Sequence, residues 1–404
     1  VANAESVEIP HPKRALRRAA WEGLRKTGCE GNPDSNYLSK KVQLNLKPLE
    51  WAKDKKNGRI VCDLSTPASI RGGWLMDAMK DVLEMEEDRV RLGRSVFVKS
   101  PNVGRLSALF LRMQSENLCL YFSDDSTYSL ETLDGMLYFN VDISGCDASQ
   151  SKYVFLSLLA MTPDVHRPTM SALLSQCAAA CKLGYGPSAL SFVPVDYFEY
   201  SGSLLTTMLN NISTLHASRG LFRGYTVRSR KDAIAYVTQY FDDAPWKFTV
   251  DFCESIYGVQ FLKCSPARTV NGGLVACLNL GVILRCMGQR SGDLPGRGDL
   301  RKRAFNFNAG LVRGMVHAGN HQLLRLLQRK FLSHDVINVQ YNSNSVKFLS
   351  GGLRDEIDDL SICERYCISV GDYQTLLCMI DQADYGDVII CTASKAIIAL
   401  DYGL

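Results

Sequence analysis

Apolar and polar positions along the chain fall into two periods, one of strands and one of helices. Lys40–Leu64 alternates as strands around a Lys-Asn-Gly turn at Lys56–Gly58. Leu118–Ser149 holds two short apolar, β-prone runs, each ending in acidic residues. Helical patterns are expected at His11–Lys26, where a basic amphipathic stretch stops at Gly28 and the turn-rich GNPDSN, and at Met76–Arg91. Further helices are expected at Lys152–Met161, Met170–Leu183, Leu204–Leu215 and Lys231–Tyr240. Val259–Lys263 and Leu274–Leu284 read as a hairpin interrupted by SPARTVNGG. Phe305–Phe331 reads as a basic helical region after the Gly-rich loop Ser291–Asp299. Two more helices close the chain, with Ser369 as a cap. Strands and helices are mixed without regular alternation, so the class is α+β.

Length changes this picture by dividing it. At 404 residues the chain exceeds what one core usually holds, so two or three intimately packed subdomains are expected. The net charge of +4 conceals an uneven distribution: residues 1–60 carry 13 Lys/Arg against 7 Asp/Glu, and residues 285–330 carry 10 against 2. Two basic arms around an acid-tipped centre suit a polyanion held over a metal site; solvated helix faces are the plainer alternative. The 14 cysteines form no Cys-x-x-Cys pair, which argues against structural zinc and for reduced thiols. Cys177/Cys181 and Cys363/Cys367, each four apart, would lie on buried helix faces. His317 and His321 are also four apart, but no third ligand stands with them. No apolar run is long enough to span a bilayer.

The chemistry concentrates around the acids. Asp124-Asp125 follows LCLYFS, and Asp142 and Asp147 form a D-x4-D pair in YFNVDISGCDAS. If their strands are neighbours, Asp142, Asp124 and Asp125 make a hard-oxygen site suited to two divalent ions. Ser201, Gly202, Thr206 and Asn210 follow in an SG-x3-T-x3-N pattern. Gly202 permits a tight loop, and Thr206 and Asn210, at i and i+4 on a helix, share a face that can hydrogen-bond a ribose 2′-hydroxyl.

Taken together, these motifs resemble the palm of viral RNA-dependent RNA polymerases. Because the double Asp stands ahead of D-x4-D, the order resembles the permuted palm of permutotetraviruses and birnaviruses, whose enzymes tend to carry Asp-Asn at this place. A second double Asp, Asp242-Asp243, would give the usual order. Only 17 residues then separate it from Phe261, an interval that barely holds the helix and strand that normally follow in that family; it is assigned to a solvated helix end.

The resemblance implies a right-hand polymerase: fingers over 1–117, a permuted antiparallel-sheet palm over 118–265, and a reduced thumb or C-terminal region over 266–404. It implies Mg²⁺ or Mn²⁺ held by Asp142, Asp124 and Asp125, and ribose checked by Asp147, Thr206 and Asn210. Ser201-Gly202 would shift with the template. Lys47, Lys56 and Arg59, in a basic strand–turn–strand, would bind the triphosphate. Lys263, in FLKC, would touch backbone phosphate, and Arg14, Arg17, Arg301 and Arg303 would line the RNA path. The implied partners are RNA template and product, ribonucleoside triphosphates and other viral proteins, in the host cytoplasm or the virion. The rival readings are a usual-order polymerase or reverse transcriptase using Asp242-Asp243, and a catalytically silent RNA-binding scaffold.

Overall fold

The structure, a computed structural model, describes residues 22, 42–46, 60–63, 66–89, 94–99, 102–183, 186–288, 294, 297–315, 317–332 and 355–402. Its centre is a five-stranded mixed sheet. β1 (Val42–Leu46), β2 (Ile60–Asp63) and α1 (Thr66–Arg89) precede β3 (Ser95–Phe97) and α2 (Val103–Met113). Then come β4 (Leu118–Phe122), β5 (Asp125–Thr132) and β6 (Gly135–Ile143), followed by α3 (Cys146–Ser149), α4 (Lys152–Met161) and α5 (Arg167–Cys177). β7 (Cys181–Leu183), β8 (Leu190–Phe192), α6 (Thr206–Gly224), α7 (Arg230–Asp242) and β9 (Phe248–Cys253) continue the chain. The remainder is β10 (Cys264–Arg268), β11 (Leu274–Leu278), α8 (Leu280–Gly288), α9 (Leu300–Gly314), α10 (Gln322–Phe331), α11 (Asp359–Tyr366), α12 (Val370–Gln382) and α13 (Thr392–Tyr402).

The central sheet runs β3-β4-β5-β6-β9, with β3 parallel to β4 and every other neighbour antiparallel. It thus takes in a strand that precedes residue 118. Both faces are covered, which explains why LCLY in β4 is apolar without interruption. Side chains alternate between two cores. Leu118 and Leu120 join the core built with α2, β10, β11 and the C-terminal helices. Cys119 and Tyr121 join Tyr128, Phe139, Phe155, Leu209 and Phe241 in the core built with α1 and α4–α7. Hydroxyls trapped in the sheet find partners: Ser129 donates to the Glu116 carbonyl at 2.7 Å and Thr127 lies 3.0 Å from Asn140 Oδ1.

Several expectations hold. The strands around Lys56–Gly58 are β1 and β2, paired antiparallel. α4 spans the residues its pattern predicts, and Ser369 caps α12 in a capping box with Asp372. The helix expected at Met170–Leu183 instead stops at Cys177, because Cys181–Leu183 is drawn into a parallel pairing with β1. Cys181 therefore lies on a strand, and Cys367 is an exposed left-handed cap rather than a buried helix residue. The hairpin expected from Val259 is displaced: β10 begins at Cys264, and Leu280–Gly288 is a helix, its first amides bound by Tyr366 and Asp401. Phe305–Phe331 divides into α9 and α10. His317 lies between those helices and His321 caps the second, so the two do not share a helical face. The helix expected at His11–Lys26 lies outside the described residues except for Glu22, which is helical. Among the described residues no helix is long and apolar enough to cross a membrane.

Candidate functional site

β4 and β5 reverse in two residues, with Phe122 opposite Asp125. Ser123 takes a left-handed φ of 60°, and Asp124 completes the turn. β6 then runs back beside β5, Ser126 opposite Val141. One step further along that register, Asp125 and Asp142 become cross-strand neighbours, while Asp142 also pairs with Thr249 of β9. Two separate acidic motifs are therefore joined at one end of the sheet. Asp142 is exposed, and Asp124 and Asp125 are half-buried. Asp125 is pushed up to about 7, chiefly by desolvation, with the charges of Asp124 and Asp142 adding to the rise. A hydrogen bond from the Leu262 amide at 2.8 Å and the nearby Lys263 ammonium oppose it.

Asp147 lies in the first turn of α3, whose entry through Gly145 requires a φ of 59°. Beside it, the Cys146 thiol is pushed up by burial and by the charges of Glu199, Asp124, Asp147 and Asp142. Four carboxyl groups thus act on this one buried thiol.

Helix α6 holds the double-Asp turn. Ser123 donates its backbone N–H to Asn211 Oδ1 at 2.6 Å, and Thr214 donates to the Ser123 carbonyl at 2.9 Å. The Asn210 side chain stands 3.2 Å from Ser123 Oγ, and its amide nitrogen faces both oxygens of Glu199 at 3.1 and 3.3 Å. Gln150 lies 3.0 Å from the same amide and is held by Ser213 at 2.6 Å. Thr206 opens α6 with its hydroxyl between the Tyr200 carbonyl, at 3.1 Å, and the Glu199 carboxyl. Gly202 has a φ of 81°, which lets the chain turn into α6 beside half-buried Ser201. Asp124, Asp125, Asp142, Asp147, Thr206 and Asn210 are consequently brought into one constellation.

Glu199 was not among the residues expected at the site. It is 1% exposed and pushed up to about 9 by desolvation and by Asp147 and Asp124. Its signal in the sequence is only an acid two positions before Ser201, with no spacing rule to mark it. Lys263 lies close to Asp125, but its ammonium donates to the Asp401 carbonyl at 3.1 Å and faces the Tyr402 ring. Arg301 is exposed and pairs with Asp384 at 3.3 Å; Arg303 donates to the Leu294 carbonyl. Arg14, Arg17, Lys47, Lys56 and Arg59 lie outside the described residues. Asp242 and Asp243 end α7 and are exposed, as expected.

No protein-family model matches the chain, and no curated protein does. The chemistry of the site is therefore read from its own donors. Among the described residues no three His, Cys, Asp or Glu side chains stand as a ready-made chelate. The aspartates influence one another's charge, as Asp125 records, yet are not drawn together as ligands. Their oxygens are the hard donors that Mg²⁺ and Mn²⁺ take, and repulsion among like charges is what a divalent cation relieves. Donor chemistry and charge fit such an ion; spacing requires the carboxylates to close on it.

Proposed function

We propose that this chain is an RNA-dependent RNA polymerase with a permuted palm, acting by nucleotidyl transfer at the Asp124, Asp125 and Asp142 site. The observation that carries this reading is the convergence of Asp124-Asp125 and Asp142 on neighbouring strands, with Asn210, Asn211 and Thr214 of α6 hydrogen-bonded to Ser123 of the same turn. A sheet requires adjacent strands and not a particular chain order, so the permuted sequence forms a coherent acidic centre.

In this reading residues 1–117 supply fingers and one palm strand, β3, residues 118–265 the rest of the palm and 266–404 a reduced thumb. Asp124 and Asp142 would hold two Mg²⁺ or Mn²⁺ ions, with Asp125 assisting. When bound, such ions supply Lewis acidity and charge neutralisation for attack of a 3′-hydroxyl on an α-phosphate. The chain's own task is orientation. Thr206, half-buried, would meet the ribose with Asp147 beside it, while Asn210, buried and bonded to Ser123 and Glu199, would hold that face in place. Ser201-Gly202 gives the loop before α6 its freedom to follow the template. Lys47, Lys56 and Arg59 would neutralise the triphosphate, and Arg14, Arg17, Arg301 and Arg303 the RNA backbone, while the Lys263 ammonium is held by the Asp401 carbonyl. The exposed helix end that carries Asp242-Asp243 disfavours the usual-order alternative.

Primer extension on an RNA template with ribonucleotides and Mn²⁺ tests the site. Asp142→Asn is expected to lower incorporation by roughly 10²-fold or more, the scale of losing a main transition-state stabiliser. A folded variant extending at the wild-type rate would exclude Asp142 from the chemistry, and absence of extension by the wild type would leave the scaffold reading in its place.

A further inference from the structure

The loop between β9 and β10 carries an unusual backbone. Leu262 and Lys263 are consecutive non-glycine residues in the left-handed region, with φ of 51° and 61°. A side chain with a Cβ adopts that region only where its surroundings impose it, and such strain gathers where geometry serves function. Here the turn is closed by paired bonds between Phe261 and Cys264, at 2.8 and 2.9 Å. Its strained Leu262 amide is the one that donates to Asp125.

The same loop is tied at its other end. Arg365, almost fully buried, donates to the Tyr257 carbonyl at 3.0 Å and to Gln260 Oε1 at 3.2 Å. Asn140 of β6 accepts from the Gln260 amide at 2.9 Å and donates to the Gly258 carbonyl at 3.1 Å. Arg365 in turn pairs with Asp401 of α13 at 3.0 Å. The second Asp401 oxygen accepts from the Tyr366 hydroxyl at 2.9 Å and the Gly281 amide at 2.8 Å. Lys263 closes the circuit by donating to the Asp401 carbonyl. A buried ion pair adds little net stability over apolar packing of the same shape, so its value here lies in fixing a geometry.

We propose that Arg365, Asp401 and Lys263 are positioning residues for Asp125, so that the C-terminal helix α13 is a strut of the acidic centre rather than a separate cover. The inference rests on the reading of Asp125 as a metal-binding carboxylate. It assigns a task to residues more than 130 positions from that carboxylate in the chain. Displacing α13 frees the 257–263 loop, and Asp125 loses the amide that fixes its oxygen.

The test uses the full chain with Asp401→Asn, Lys263→Gly and Lys263→Arg, each checked for folding by its thermal transition. Glycine accepts the left-handed turn, so Lys263→Gly removes the tether without adding strain should Asp401→Asn fail to fold. Three quantities are read: kcat and KM for nucleotide in primer extension, and Mn²⁺ affinity by calorimetry without RNA or nucleotide. The expected result for Asp401→Asn and Lys263→Gly is a kcat lowered about tenfold with KM nearly unchanged, and Mn²⁺ affinity lowered about tenfold, on the scale of outer-shell effects at metal sites. Lys263→Arg is expected to restore both. Wild-type Mn²⁺ affinity in folded Lys263→Gly overturns the proposal, since a mere RNA contact or a packing role leaves RNA-free metal binding intact. Absence of extension by the wild-type chain instead overturns the polymerase reading, and the calorimetric comparison still decides the strut.

Discussion

Glu199 shows what a single buried carboxyl does to this site. Its oxygens face Asn210 and Thr206, and Asp147 and Asp124 act on it from the acidic centre. With a value pushed up to about 9, it is protonated at neutral pH. The folded chain then keeps a proton that the unfolded chain has released, so this contribution to stability is fully present below 4.5 and is lost as pH rises toward about 9. Glu199→Gln removes the titration while preserving the shape. Thermal transitions at about pH 6 and about pH 8.5 are expected to fall in the wild type and to fall less in the variant; an equal fall would remove Glu199 from this account. The motif residues around it were legible because carboxylates at strand ends and the SG-x3-T-x3-N spacing announce themselves. Glu199 became visible only when the fold enclosed it.

At the scale of elements, success and failure of the sequence reading have distinct physical causes. α4 was legible from its own period, and the β4 and β6 strand runs from their short apolar segments bounded by acids. Leu280–Gly288 was not, because a short apolar run fits strand and helix equally. The decision comes from far away in sequence: Tyr366 and Asp401 bind the amides of Leu280 and Gly281 and so fix a helix start. Gly281 is essential to that seat, since a Cβ there would lie 2.6 Å from Asp401 Oδ2 and 2.8 Å from its Cβ. Gly281→Ala is therefore expected to destabilise the chain by about 1–3 kcal/mol, as overpacking does, and to lower its denaturation midpoint in urea. A midpoint equal to the wild type would show that α8 and α13 separate without penalty. Likewise Met170–Leu183 lost its last residues to strand pairing, a tertiary demand that no local period records.

Among the described residues the five-stranded mixed sheet lies between two cores, with the acids at one end of that sheet and α6 pinned against them. The mixed α+β class was readable from the sequence; the parallel addition of β3 and the seating of α13 beside the acid-bearing loop were not, since both depend on contacts distant in the chain. In the proposed permuted palm the double Asp ahead of D-x4-D, and not the later one, serves the chemistry. The most direct measurement is ribonucleotide incorporation by primer extension on an RNA template, comparing wild type, Asp124→Ala and Asp243→Ala. Asp124→Ala is expected to lose incorporation while Asp243→Ala retains it. Loss in Asp243→Ala with activity preserved in Asp124→Ala would contradict the permuted arrangement and move the active centre to the end of α7.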